Sequence, residues 1–371
     1  MRPVVFGTLF LIVILNWLWP LPVPLAARIT GAFLIVVAGL YHYWCRLSSG
    51  SVFAPEMPRL VVILFNWGFG ALGFITVMQL AVDIGAAIWA LVTWHPFHIG
   101  TEPRVAVGII AALLSAWGVA NALRVPPVRD VTLRIAALPP GFEGYRLVQL
   151  TDLHITRLFP RLWAEKVVKK ANEAMADLVV VTGDFIDGSV AMRRDDVAPL
   201  SALQAPDGVW AIPGNHEYFF DYGEWIAHLS NMGFRFLLNR HEIIRRGDEA
   251  LVLAGVTDRS AAHHGEEGPD LALALAGRPD DAPVILLDHQ PAEAREAARL
   301  GVALQLSGHT HGGMIYGLDA LVARGNKGFV SGLYHVGNMA LYVSNGTGIW
   351  PGFALRLGRP SEITRFTLTA R

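Results

Sequence analysis

The chain has 371 residues, of which 53% are hydrophobic and only 16% charged, with a formal charge of −1 and a single cysteine, Cys45. That length accommodates two units, and one cysteine excludes a disulfide framework and a thiolate metal site. A near-neutral balance without any basic run argues against a nucleic-acid partner.

The charges divide the chain near Arg124. Only nine lie at or before that position (Arg2, Arg28, Arg46, Glu56, Arg59, Asp83, Glu102, Arg104 and Arg124), against 52 in the 247 residues that follow. Within 1–124, four apolar stretches, 4–25, 29–45, 60–82 and 105–123, reach or approach the roughly 20 helical residues that cross a hydrocarbon core. We expect an all-α bundle of four transmembrane helices. Residues 84–94 are too short to span alone and either lengthen the third helix or lie at the interface, with Asp83 as an interfacial charge at the junction. The first apolar run is longer than the core of a cleavable signal and reads as retained. Trp17, Trp19, Tyr41, Tyr43, Trp44, Trp89 and Trp94 sit toward segment ends, as aromatic belts do. Four spans place both termini on one side, where Arg2, Arg46, Arg59, Arg124, Arg129 and Arg134 outnumber Arg28 and Arg104 opposite. The positive-inside bias then makes this a multi-pass protein of the inner or plasma membrane with a cytoplasmic catalytic domain; an odd count would reverse it.

Prolines at 126, 127, 139 and 140 bracket a linker, 125–144, holding an alternating edge strand at 131–135. Strands at 145–150, 178–182 and 209–212 then alternate with helices at 160–175, near 197–203 and at 222–232, which argues α/β. Further strands follow at 234–238, 241–245, 251–255, 284–287, 302–306, 340–343 and 363–368, interrupted by a helix at 291–300. Two packed sheets with helices outside, an αββα sandwich over 145–371, hold this number better than one open sheet.

The chemistry-bearing residues follow apolar, β-branched runs, hence stand at strand ends, where α/β proteins place their sites. They are Asp152 and His154, Asp184, Asn215 and His216, His289, and His309 with His311. Two carboxylates, one amide oxygen and four imidazoles, leaving His216 aside, form a donor set suited to Mn²⁺, Fe or Zn²⁺. Two such ions roughly 3.5–4 Å apart can clamp the attacking and leaving oxygens of a phosphoryl displacement. Gly183, Gly214 and Gly308 each precede a ligand, where a side chain would crowd metal or substrate.

Asp152-x-His154, Gly183-Asp184-x-x-Asp187, Gly214-Asn215-His216-Glu217, His289 and Gly308-His309-x-His311 keep the order of D-x-H, G-D-x-x-D, G-N-H-[DE], a lone H, and G-H-x-H. Over 145–371 the chain thereby resembles the calcineurin-like metallophosphoesterase superfamily. The resemblance implies two divalent ions, one held by Asp152, His154, Asp184 and His311, the other by Asp184 as bridge with Asn215, His289 and His309. It also implies that His216 faces the phosphate and protonates the leaving group, a role that a neutral-range pKa suits. The implied reaction is hydrolysis of a phosphomonoester, phosphodiester or pyrophosphate by metal-bound hydroxide. Asp187 reads as a loop-ordering residue and Glu217 as a helix cap. His263 and His264 read as solvated loop, and Arg157 and Arg161 equally as phosphate contacts or exposed charge. The stretches 308–313, 342–348 and 355–363 resemble a bacterial membrane-associated subgroup that includes enzymes of lipid-linked substrates, with Met314 where that subgroup has glutamine. The expected partners are the bilayer and a phosphorylated, lipid-linked substrate. The alternative is a membrane sensor or transporter whose phosphoesterase-fold domain binds a phosphorylated ligand without turnover; such a module needs no acid at His216. A nuclease would need a basic groove, which the charge count does not support.

Overall fold

The computed structural model describes residues 10–97 and 99–370. Two compact units emerge, one of Met1–Asn121 with Pro351–Leu355, the other of Ala122–Trp350 with Arg356–Arg371.

Prolines set the helix starts of the first unit. Pro24 precedes Leu25–Gly39 and Pro58 precedes Arg59–Thr93, where a fixed φ and a missing N–H cost nothing. Gly50, in the left-handed region, ends Tyr41–Ser49. Arg59–Thr93 and Thr101–Ala122 are each long and apolar enough to cross a membrane, and Leu25–Gly39 with Tyr41–Ser49, bent by 54°, would make a third. The expected four spans are therefore two or three among the described residues. The second expected stretch breaks at Leu40. The first begins outside the described residues, and its described part is the π-helical Val13–Leu18, beyond which Pro20, Pro22 and Pro24 prevent continuation. Residues 84–93 lengthen the third helix. At about 1.5 Å per residue, its 35 residues run well past a hydrocarbon core of about 30 Å. Asp83, near its far end, accepts hydrogen bonds from Asn16 (2.7 Å) and Gln79 (2.8 Å).

Pro351–Leu355 returns to this unit from the C-terminal part of the chain. The Tyr41 hydroxyl donates to the Pro351 carbonyl at 2.8 Å and accepts from Asn66 at 3.0 Å, while the Asn66 amide oxygen takes the Ala354 N–H at 2.7 Å.

The second unit is a sandwich of two six-stranded mixed sheets. Its strands are β1 (Val128–Arg134), β2 (Arg146–Leu150), β3 (Leu178–Thr182), β4 (Val209–Ile212), β5 (Arg235–Phe236), β6 (Arg240–Arg246), β7 (Glu249–Gly255), β8 (Val284–Leu287), β9 (Leu304–Ser307), β10 (Gly332–Val336), β11 (Met339–Val343) and β12 (Ile363–Thr369). They order as β1-β12-β2-β3-β4-β5 and β10-β11-β9-β8-β7-β6. Leu147, Leu178, Val180 and Ile212 from the first sheet share one core with Leu253, Ile285, Leu304 and Tyr342 from the second. Helices Leu271–Leu275 and Ala294–Arg299 cover the second sheet's other face through Ala274, Leu275, Ala294 and Ala297. Arg161–Glu173 buries Trp163, Ala164, Val167, Val168 and Ala171, the stripe its helical period dictates.

The linker strand is an edge strand as expected, paired only with β12. The helix expected near 197–203 is instead Val190–Val197 running into a 3-10 turn, Ala198–Ala202. Its buried face includes Arg193, so the apolar period that would reveal it is interrupted. Strand β10 and helix Asp319–Gly325 were not anticipated.

Because β2, β3 and β4 are parallel, their C-terminal ends share one edge, and so do those of β8, β9 and β11 in the second sheet. Every expected ligand follows one of these ends.

Candidate metal centre

All seven residues expected to bind metal, and His216, converge in one buried cluster. Nε2 of His154 lies 3.2 Å from Nε2 of His311, 3.6 Å from Oδ2 of Asp184 and 4.0 Å from Oδ1 of Asp152. Nε2 of His311 is 3.5 Å from the same Asp152 oxygen. On the other side of Asp184, Nε2 of His289 approaches Oδ2 at 3.3 Å and the Asn215 amide oxygen at 3.2 Å, which His309 Nδ1 also meets at 2.8 Å. Asp184 thus meets both donor groups through Oδ2.

The donors are prepared from behind. His289 gives its Nδ1 proton to the Thr182 carbonyl at 2.7 Å, which turns Nε2 inward toward Asp184. Asp187 holds Nδ1 of His154 at 3.0 Å through one oxygen and Nδ1 of His216 through the other. It therefore orders two imidazoles at once rather than ligating. The Asp152 carboxylate receives the Thr151 hydroxyl at 2.8 Å and the His309 N–H at 3.0 Å.

Glu217 links two of the loops. Its Oε2 accepts the N–H groups of Gly214 (2.6 Å) and Asp184 (3.0 Å), its Oε1 that of Phe185 (2.7 Å). It caps the helix Asn215–Phe219 as expected and also pins the β3 loop that carries Asp184.

The backbone is held in a sparsely populated conformation to achieve this. Asp152, His154, Asp184, His309 and His311 have φ of 52, 44, 55, 68 and 49°, the left-handed region that costs a side-chain-bearing residue on the order of 1 kcal/mol. Gly183, with φ 89°, is a turn where a Cβ would strike the Gly214 backbone, and one on Gly214 would meet the Asp184 carboxylate.

Charge and burial act unevenly on the donors: burial lowers His289, but the carboxylates of Asp184 and Asp152 outweigh it and hold it well above the ordinary imidazole range, while burial raises the Asp152 carboxyl. Burial and the neighbouring His289 push His309 down to about 3, and burial with His154 and Arg356 holds His311 well below the ordinary imidazole range. Both imidazoles are neutral at pH 7 and offer lone pairs. For His216, burial lowers the pKa, but the carboxylates of Asp187 and Asp184 more than offset it and raise it to about 9. Burial also works against the charge of Asp187, and His216 and His154 outweigh it, so its carboxyl stays below the ordinary range. Converging carboxylate oxygens and neutral imidazole nitrogens fit divalent cations; three such sets, Asp152/His154/His311, His154/Asp184/His216 and Asp152/Asp184/His289, each place their donor atoms within 4.8 Å.

The calcineurin-like phosphoesterase profile matches residues 145–313. A relative from Danio rerio, "Transmembrane protein with metallophosphoesterase domain", is 36% identical over 382 residues, covering 90% of this chain and 87% of its own length. The chain belongs to the calcineurin-like metallophosphoesterase family. A Bos taurus relative of the same name is 36% identical, covering 73% of this metallophosphoesterase and 63% of its own length. An "Uncharacterized metallophosphoesterase" of Helicobacter pylori is 31% identical, covering 72% and 71%. The family is generally one of metal-dependent hydrolases.

One other sequence reading changes in the folded metallophosphoesterase. Arg161 pairs with Glu165 at 2.9 Å on its own helix, so its guanidinium is engaged away from the centre. His264, read as solvated loop, is exposed, yet its ring lies 5.7 Å from Phe219, whose ring lies 5.1 Å from His216. Phe219 and His264 thus form an aromatic margin beside the expected acid.

Arg356 was not singled out from the sequence. It is fully buried, donates to the carbonyls of His311 (3.1 Å), Asn345 (2.6 Å), Gly348 (2.8 Å) and Arg359 (3.1 Å), and brings Nη2 to 3.5 Å from His311 Nδ1. Burial lowers its pKa to about 10 against the pull of Asp152 and Glu362. Arg356 holds the loop after β11 against the backbone of His311. Its sequence neighbours, all apolar or glycine, gave no signal of this.

Proposed function

We propose that this chain is a membrane-anchored, two-metal phosphoesterase that hydrolyses a phosphomonoester, phosphodiester or pyrophosphate, with a lipid-linked substrate as the preferred class. The observation that carries the reading is the convergence of Asp152, His154, Asp184 and His311 on one side, and Asn215, His289 and His309 on the other, about a shared Asp184 carboxylate.

Two divalent cations held there supply Lewis acidity toward phosphoryl oxygens and activate a water. The chain's own residues do the rest. Asp184 sets the spacing of the two donor groups, and Asp187 fixes both His154 and His216 by their Nδ1 atoms. His216, proton-bearing with its pKa raised to about 9, directs Nε2 away from Asp187 and delivers a proton to the leaving oxygen. Burial of His154, Asp152 and Asp184 excludes competing water and strengthens each interaction.

Anchoring rests on the apolar helices Arg59–Thr93 and Thr101–Ala122 and on relatives that bear a transmembrane description. A tethered enzyme meets a bilayer-borne substrate at raised local concentration. The test is turnover of p-nitrophenyl phosphate and bis-p-nitrophenyl phosphate by the detergent-solubilised chain, stripped with chelator and resupplied with Mn²⁺ or Zn²⁺. We expect metal-dependent turnover, abolished in Asp184→Ala and reduced about 10²–10⁴-fold in His216→Ala with metal still bound. Metal bound without turnover on either substrate refutes the hydrolase.

A further inference from the structure

Phe219 closes the short helix that carries the expected ligand Asn215 and the expected acid His216. Asn215, His216, Glu217 and Tyr218 of that helix are buried, whereas Phe219 stays 38% exposed. One exposed phenylalanine is ordinary on a protein surface; this one is set apart by its place. Its ring lies 5.1 Å from the His216 ring and 5.7 Å from that of the exposed His264, which also comes within 6.3 Å of Tyr218. The turn Ala261–His264 is tied down in its own right. Ala261 is buried and gives its N–H to the Asp258 carbonyl at 3.0 Å, the Ser260 N–H reaches the Asp258 carboxylate at 2.7 Å, and both oxygens of that carboxylate accept Gln290 Nε2 at 3.0 Å. Gln290 follows the expected ligand His289. One ring is thus fixed to the loop of Asn215 and the other to the loop of His289, so the framework that places the centre also places both rings.

Charge distinguishes what this margin can receive. The two segments that build it, 214–232 and 256–267, expose Asp221, Glu224, Glu266 and Glu267, and their single arginine, Arg259, pairs with Glu293 at 3.8 Å. Burial raises the Tyr222 phenol and Glu266, Glu217 and Glu267 add to it, which sets these acids around a ring stacked at 4.3 Å on Tyr218. In the hydrolysis, the oxygen of water bonds to phosphorus as the ester P–O bond breaks, the proton of His216 goes to the departing oxygen and the proton of the water goes to solvent. The leaving group therefore departs past His216, where it meets two aromatic rings and a negative rim. Aromatic rings favour another flat ring, offset-stacked or edge-on, beyond the area they bury. A departing phosphate would instead bring its charge up to carboxylates.

We infer that Phe219 and His264 are specificity-determining contacts for the leaving group, and that this group is an alcohol bearing a flat, uncharged ring rather than a phosphate. The inference rests on the hydrolase reading above, with His216 as acid, and narrows its three reaction classes to the two esters.

The experiment uses the detergent-solubilised full chain loaded with Mn²⁺ and compares benzyl with cyclohexylmethyl esters, as monoester and symmetric diester, whose alcohols are similar in bulk and acidity but differ in flatness. We expect the parent to favour the benzyl ester by about tenfold in kcat/KM, Phe219→Leu and His264→Ala each to bring that ratio to within about twofold of one, and Phe219→Trp to keep it. As a readout apart from turnover, calorimetric titration should find benzylphosphonate bound more tightly than cyclohexylmethylphosphonate by the parent and equally by Phe219→Leu. A parent that treats the two esters alike overturns the inference, as does a Phe219→Leu enzyme in which both rates fall in equal proportion, since that gives Phe219 a structural role only. Inorganic pyrophosphate hydrolysed as fast as the benzyl ester also overturns it. Should the leucine variant not fold, by near-UV circular dichroism, His264→Ala carries the same comparison. Turnover of the p-nitrophenyl esters with none of either ring ester overturns this inference alone; Mn²⁺ bound with no turnover of any ester refutes the hydrolase reading and this inference with it.

Discussion

Replacing Glu217 probes whether one carboxylate joins the β3 and β4 loops into a metal centre. It is fully buried and accepts three backbone N–H groups, from Gly214, Asp184 and Phe185. In Glu217→Ala all three donors lose their acceptor, and an unsatisfied buried donor costs about 1–3 kcal/mol. The burial of the carboxylate, together with the charge of Asp184, raises its pKa, so part of the loss is returned when that charge is deleted. The net expectation is about 3–6 kcal/mol, a large fraction of the stability of an ordinary domain. Glu217→Gln can turn its carbonyl toward Gly214 and Asp184, but its NH₂ then faces the Phe185 N–H, donor against donor, and about half the loss remains. At about 2–4 °C per kcal/mol for a unit of this size, Glu217→Ala lowers the melting temperature of the chelated protein by about 10 °C or more, and Glu217→Gln by about half that. Thermal melts followed by near-UV circular dichroism, with metal affinity measured in parallel by competition against a chromophoric chelator, check both. A Glu217→Ala melting temperature within about 2 °C of the parent refutes the linkage.

Asp187→Asn removes the carboxylate that orients His154 and His216, so metal affinity and kcat/KM should each fall about 10–100-fold; because that carboxylate raises His216, the basic limb of the pH–rate profile should move to lower pH, and an unmoved limb refutes the pairing. Arg356→Lys should lower the melting temperature by about 4 °C or more, since one ammonium cannot reach the four carbonyls that the planar guanidinium serves; an unchanged melt refutes it. Stability of the chelated protein should fall with rising pH above 6.5. His216 is raised from 6.5 to about 9, so its contribution is complete below 6.5 and is lost through 9. His289, lowered by burial but held by Asp184 well above the ordinary imidazole range, must give up a proton to bind metal, so the melting-temperature gain on adding Zn²⁺ should grow as pH rises from 6.5 to 9; a gain that shrinks over that interval contradicts this.

The strand ladder around the centre was legible because β2, β3, β4 and β8 are buried on both faces and read as short, largely apolar runs, interrupted inside only by Gln149, each followed within three residues by an expected ligand. Val190–Val197 was illegible because its inward face carries Arg193, and β10 because it is a half-exposed edge. Within the centre, Asp187 was read as ordering its loop, but the histidines it holds lie 33 and 29 residues away, and no spacing rule reaches that far. His264 is exposed as read, but its ring contact with Phe219, 45 residues earlier in the chain, lay beyond any spacing rule.

The sequence by itself determined the candidate donor chemistry, since seven side chains able to ligate a divalent ion, each after an apolar strand, are a property of composition and order. It also determined that the first third is apolar helix. The tertiary structure decided how these parts are held: the left-handed backbone at five of the expected ligands, the three amides gathered by Glu217, the four carbonyls gathered by Arg356, and, among the described residues, two long apolar helices and a bent pair where four spans were expected. These depend on contacts between residues distant in the chain, and burial alone makes a carboxylate or guanidinium indispensable there, because only in a dry interior does an unmet N–H or C=O have no water to turn to.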